Sequence, residues 1–191
     1  MENTSAPDAE HTEQPFELVL DGDEVATMLN SLERIRRTFG WKTGGLDTDA
    51  LRATIAASTM TLGGLLKHLA LVEADWFAVK LRGEPIGSPW DGVDWGGDED
   101  WDWHSAAGDS PEQLYALWDA AVKRSRQMVA DALAGGGVDQ PSHFTWPDGR
   151  TPNLRRIIAD MIEEYARHTG HADLLREAVD GLVGEDPPGS P

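Results

Sequence analysis

Glu164 and His168 stand four residues apart in the run Glu164-Tyr165-Ala166-Arg167-His168-Thr169-Gly170-His171. On a helix that spacing stacks the two side chains one turn apart on a single face. A carboxylate and an imidazole placed so can close on one metal ion. Much earlier in the chain, Leu65-Leu66-Lys67-His68-Leu69-Ala70-Leu71-Val72-Glu73 sets one histidine among leucines. If the two helices pack together, His68, Glu164 and His168 offer two nitrogens and one oxygen, with room left for water or substrate. Three protein ligands and one open position is the build of a catalytic zinc site.

Both histidines pass a test for pointing inward. His68 follows Leu65 by three residues and precedes Val72 by four, and His168 lies between Met161, Tyr165, Ala172 and Leu175. A buried imidazole needs a hydrogen-bond partner or a metal. A carboxylate on an apolar face is costly unless it is paired or metal-bound. Glu163 is better placed to be the solvated neighbour. Alone, His68 reads as a satisfied core histidine; the Glu-x-x-x-His pair on a second helix tips the reading toward a metal. His171, three residues past His168, is a ligand, a partner behind the ligands, or a substrate contact. Asp75 is a candidate acceptor for the second nitrogen of a ligating histidine. Trp76, Tyr165 and Trp103 are candidate walls of a substrate pocket, and Tyr165 or His171 is a candidate proton donor. His11, His104 and His143 fall in irregular segments and are not expected to be ligands.

The elements that must position these residues are helical. Val25, Met28, Leu29, Leu32, Ile35 and Phe39 recur at three and four, predicting a first helix that stops at Gly44-Gly45. One further helical turn is expected over residues 48 to 53. Thr61 is an N-cap for a second helix with Leu62, Leu65, Leu66, Leu69, Val72, Trp76 and Val79 on its apolar face. Ser110-Pro111-Glu112 opens a third that runs to Gly135-Gly136-Gly137. A fourth starts after Pro152 and reaches about Gly181. Residues 143 to 151 carry an Asp-Gly turn signal and predict a small hairpin. Residues 86 to 109 have no period and hold Trp90, Trp95, Trp101 and Trp103, interleaved with Asp91, Asp94, Asp98, Glu99, Asp100 and Asp102. That loop reads either as a lid or as a segment pinned to the helices by its tryptophans. The expected architecture is all-α, an up-down four-helix bundle over residues 21 to 183, with the long Trp/Asp-rich loop between helices two and three. Residues 1 to 20 are expected to form a disordered or loosely docked arm, and 184 to 191 a disordered tail.

Composition narrows the functions. The 191 residues carry 16 Lys and Arg against 34 Asp and Glu, a net charge of −18. Such a polyanion is repelled by phosphate backbones and anionic lipids, so neither nucleic acid nor a membrane is an expected partner. With no cysteine, there is no disulfide, no thiolate ligand and no cysteine nucleophile. An acidic N-terminus unlike a signal peptide, and no apolar run long enough to span a bilayer, fit a cytoplasmic protein.

The paired motifs around His68 and from Glu164 to Arg176 resemble the DinB-like (YfiT) superfamily, and more closely its branch of mini-circle proteins, over roughly residues 20 to 182. The resemblance implies a helical bundle that holds a metal through one histidine on the second helix and an H-x-x-x-H pair on the last. Carried onto this chain, His68 is the first ligand and His168 the final one, with Glu164 in place of the first histidine of the pair. That replacement is similar to mycothiol-dependent maleylpyruvate isomerase, which uses a His, Glu, His set. By the same likeness His171 stands behind the ligands. The implied function is a metal-dependent thiol S-transferase or thiol-dependent isomerase. Zinc is the first expectation, with nickel or iron as alternatives. Because the chain has no cysteine, a low-molecular-weight thiol such as mycothiol would meet a small-molecule electrophile at the ion. The acidic surface argues mildly against a very anionic substrate.

Three other readings stay open from the sequence. The ion could be structural, in a non-catalytic or stress-associated protein; it could be iron in a two-histidine, one-carboxylate triad; or the chain could be a metal-free homodimer whose histidines bond to one another.

Overall fold

Each long helix begins at a side chain that caps it. Asp23, Thr61, Ser110 and Asn153 accept hydrogen bonds from the backbone N–H of Ala26, Gly64, Gln113 and Arg156, at 2.9, 3.0, 3.3 and 3.0 Å. Donors that the first turn would leave orphaned are thereby satisfied. Ser110 and Gln113 close a full capping box, with Pro111 at the first helical position. The computed structural model describes residues 16 to 188. Within it run α1 (Glu24–Thr43), α2 (Thr48–Arg52), α3 (Leu62–Glu73), α4 (Trp101–Ser105), α5 (Pro111–Gly136) and α6 (Leu154–Asp180). Gly181 ends α6 in the left-handed conformation, φ 80°, the usual glycine stop. α3 does not end where its α-helical bonding ends: it continues as a π-helix over Ala74–Leu81.

All four long helices feed one core. Leu32 and Phe39 come from α1, Leu65, Leu66 and Leu69 from α3, Leu114 and Met128 from α5, and Ile157, Ile158 and Met161 from α6. α1 packs chiefly on α6 and α3 on α5, while α3 also touches α6. Among the described residues there is no strand, only an isolated bridge between Pro141 and Asn153. None of the described helices is long and apolar enough to cross a membrane.

Two expectations change in detail. The turn at 146 to 150 closes, with Trp146 N–H donating to the Arg150 carbonyl and Gly149 N–H to the Trp146 carbonyl, both at 2.8 Å. It does not grow into a hairpin, because His143 and Phe144 give their N–H groups to the carbonyls of Leu81 and Lys80. Those are the orphaned acceptors at the end of the π-helix, so capping a helix wins over pairing a strand. The second change is in the long loop. It contains α4 and two single 3₁₀ turns, Trp90–Gly92 and Ala106–Gly108. Trp90 is buried and meets Trp101 edge-on at 6.0 Å, and Trp95 meets Trp101 at 6.3 Å.

Both ends of the described chain lie on α1. Phe16 sits under the guanidinium of Arg37 at 4.7 Å, and Asn30 bonds to the backbone of Glu17 and Val19. The part of the arm before Phe16 is outside the described residues. In the tail, Asp186 accepts from Arg34 at 3.0 Å and from Thr38 at 3.2 Å, so a segment expected to be loose makes specific contacts.

At the centre lies a polar network that no periodicity predicts. Arg36 on α1 donates twice to Glu73 at the end of α3, at 2.8 and 2.7 Å. Tyr165 on α6 donates to the same carboxylate at 2.8 Å, and Trp118 on α5 donates to the Tyr165 oxygen at 2.9 Å. Arg36, Glu73 and Tyr165 are almost wholly buried. Burial is the largest single effect and works against the Arg36 charge, but Glu73, Tyr165 and Glu33 together outweigh it and the net shift is upward. Arg36 also bonds Glu33 at 2.8 Å, a partner with 30% of its side chain exposed. Burial and then the Glu73 charge push the Tyr165 hydroxyl well above the ordinary tyrosine range, so it stays a donor.

Breaking a buried pair from one side costs about 3–5 kcal/mol. With Glu33 still on Arg36, Glu73→Gln should lie at the lower end, about 3 kcal/mol, and Tyr165→Phe should cost about 1–3 kcal/mol. Urea unfolding of the two variants beside wild type checks both values. A Glu73→Gln midpoint equal to wild type would mean that the network does not hold the helices together.

Candidate metal centre

α3 brings in His68 and α6 brings in Glu164 and His168. The ligand atoms of the three all lie within 4.8 Å of one another. His168 Nε2 is 3.3 Å from Glu164 Oε2. Two donors on one tetrahedral ion with bonds of about 2.0–2.1 Å stand roughly that far apart. The His68 and His168 rings meet at 4.8 Å between centroids, tilted by 69°. Burial, followed by the nearby His68, His171 and Arg167, pulls His168 down to about 4. At neutral pH it is therefore an uncharged imidazole, the form that ligates a metal. The donor set and its protonation fit a divalent ion.

The far side of His68 is held by a group that sequence reasoning passed over. His68 Nδ1 lies 2.8 Å from Asp102 Oδ2, which leaves Nε2 to face Glu164 and His168. Asp102 is buried, at 3% exposure, although by sequence it is only one acid among several in the loop. Its neighbour Trp103 stacks on the His68 ring at 4.5 Å and 23°. Trp103 also needs Gly64 beneath it, since a Cβ there would stand 2.9 Å from its ring. A short helix inside an aperiodic loop thus orients and covers His68. The only sequence signal was a Trp-Asp-Trp run in a loop too long to be idle.

The other expected residues are placed as follows. Asp75, expected behind a ligand, instead pairs with Lys80 at 2.6 Å. The two are five residues apart, the spacing that a π-helix stacks on one side. Tyr165, expected in a substrate pocket, has its hydroxyl in the core on Glu73 and no exposure at all. His171 Nδ1 lies 3.3 Å from His168 Nδ1, behind the ligand. Trp76 lines an open groove of about 610 Å³ whose wall includes Glu164. His104 pairs with Asp98 at 3.0 Å, and His143 packs over Gly83. His11 is outside the described residues.

An outer-sphere carboxylate that fixes a ligating histidine is typically worth about 10–100-fold in metal affinity. Asp102→Ala is therefore expected to weaken zinc binding by about that factor. Competition titration against a chromophoric chelator reads it directly, and unchanged affinity would remove Asp102 from the site.

A family model described as mycothiol-S-transferase matches residues 27–181. No curated protein matches the chain significantly. The matched stretch takes in His68 with α3, the loop that carries Asp102 and Trp103, and Glu164 and His168 on α6; the chain belongs to the mycothiol-S-transferase family.

Proposed function

We propose that this chain is an up-down four-helix bundle that binds one divalent ion through His68, Glu164 and His168 and uses it to transfer a low-molecular-weight thiol, mycothiol or a close relative, to a small electrophile. Zinc is the first candidate, with nickel or iron as alternatives. The observation that carries the reading is the convergence of two imidazoles and a carboxylate within 4.8 Å, inside a family named for thiol transfer. Bound there, the ion would supply Lewis acidity and deprotonate a coordinated thiol at neutral pH.

The residues of the chain have separate tasks. Asp102 fixes the ring orientation and tautomer of His68. Trp103 covers that ring and keeps water from one side of it. His171 sits against the outer nitrogen of His168 and can exchange a proton there. The thiol must come from outside, since the chain has no cysteine.

A structural ion without turnover is the second reading. Structural zinc sites are closed by four protein ligands, and three are offered here. Glu164 keeps 37% of its side chain exposed and borders the groove, which favours an open position and hence turnover.

Elemental analysis of untagged protein beside His168→Ala tests the ligand set. About one zinc, nickel or iron per wild-type chain, lost in the variant, is the expected result. Full metal content in His168→Ala, or none in wild type after reconstitution, would overturn it. With cobalt in the site, adding mycothiol should produce a thiolate-to-metal charge-transfer band; its absence would leave a metal protein that is not a thiol transferase.

A further inference from the structure

We propose that the groove beside Glu164 binds the carboxylate of a flat, apolar electrophile, so that the substrate is an anionic aromatic or similarly planar acid. The inference names the second substrate of the thiol-transfer reading and rests on it. The groove's volume of about 610 Å³ lies within the usual range for small-molecule sites, about 300–1,000 Å³. Arg150, Arg156 and Arg167 line it, together with Trp76 and Trp146. Three arginines in one groove matter in a chain with 16 basic and 34 acidic residues.

The acids in the same wall do not cancel all three. Asp160 and Glu163 are both taken by Arg156, and Arg150 is paired with Asp148. Glu164 is committed to the ion. Arg167 makes no hydrogen bond or ion pair with any described residue, and it follows Glu164 by three positions on α6, one turn away. A guanidinium one turn from a carboxylate that holds a divalent ion repels that ion. An oxyanion lying between them relieves that repulsion, and the planar fork of arginine suits a carboxylate.

The aromatic walls define the rest of the ligand. Trp146 keeps 44% exposure, a large apolar surface left open beside charged groups. Phe144 props it edge-on at 4.9 Å. Trp76 lies eight residues after His68 on the same helical segment, and Glu164 of the ligand cluster lines the groove with it. A flat apolar body against the indoles would carry its headgroup toward Arg167 and its reactive end toward the ion. The acidity of the whole surface, which argued against an anionic substrate, is not the local condition in this groove.

The test is calorimetric titration of the zinc-loaded full chain with 1-naphthoate, 1-naphthyl phosphate and uncharged 1-naphthalenemethanol, on wild type and Arg167→Gln. A charge-assisted hydrogen bond corresponds to about 10-fold or more in affinity. Naphthoate should bind about 10-fold tighter than the alcohol and lose that margin in Arg167→Gln, with zinc content and alcohol binding unchanged. Equal binding of naphthoate and alcohol, or an unaltered naphthoate affinity in Arg167→Gln, would overturn the proposal. Tighter binding of the phosphate than of naphthoate would overturn the carboxylate assignment. Repeating the titration on metal-free protein separates the two readings. If the chain holds no metal but Arg167 still selects naphthoate, the groove stands and the ligand set fails. If zinc is stoichiometric and naphthoate does not bind, the groove alone fails.

Discussion

A guanidinium and a carboxylate that have both left water must meet in good geometry, and the Arg36–Glu73 pair sets the terms for the other helices. Two charge-assisted bonds tie α1 to the end of α3, Tyr165 brings α6 to the same oxygen, and Trp118 brings α5 to Tyr165. The consequence for the metal centre is one of register. Glu73 lies five residues after His68, and Tyr165 lies three before His168. The contact between Glu73 and Tyr165 therefore fixes how α3 and α6 stand along each other. One turn of slip is about 5.4 Å, more than the 4.8 Å within which the three ligand atoms gather. Apolar packing alone tolerates sliding; a bidentate ion pair with a third donor on it does not.

The same arrangement separates two chemistries that are adjacent in sequence. Successive residues on a helix point about 100° apart, so Tyr165 turns into the dry core while Glu164 turns to the groove. Desolvation makes the Tyr165 hydroxyl a permanent donor. Partial exposure leaves Glu164 able to meet a ligand from outside. Four residues after Glu164, His168 is buried enough to lose its proton and close enough to that carboxylate to share an ion with it. Position around one helix decides which group is held in the core and which is left facing the candidate site.

How much of this the sequence could reveal follows from what periodicity measures. Thr61 and Ser110 announce helix starts by residue type and position, and the inward faces of His68 and His168 follow from neighbouring apolar residues. Tyr165 was rightly put inward, but an inward face is wide, and periodicity does not distinguish core from pocket. Glu73 and Arg36 were passed over because a charged residue on a helix reads as solvated until its partner, 37 residues away, is known. Asp75 lies in a π-helix, where the fifth residue on becomes the neighbour, and nothing in the sequence marks that change of period. Asp102 was out of reach altogether, since its value comes from a tertiary contact made by an aperiodic segment.

That segment also decides from which side the centre is reached. A lid has to move, yet the loop is pinned by buried Trp90, by the edge-on tryptophans, and by Lys67, which pairs with Asp109 and lies 4.4 Å over the Trp101 ring. From that anchored base it delivers Asp102 and Trp103 onto one side of His68. Moving it would break the His68–Asp102 bond and release the first ligand. A loop that has to stay in place for the ligand to be oriented serves as a wall rather than a gate. Access is then left to the side where Glu164 is partly exposed and borders the groove lined by Trp76 and Trp146.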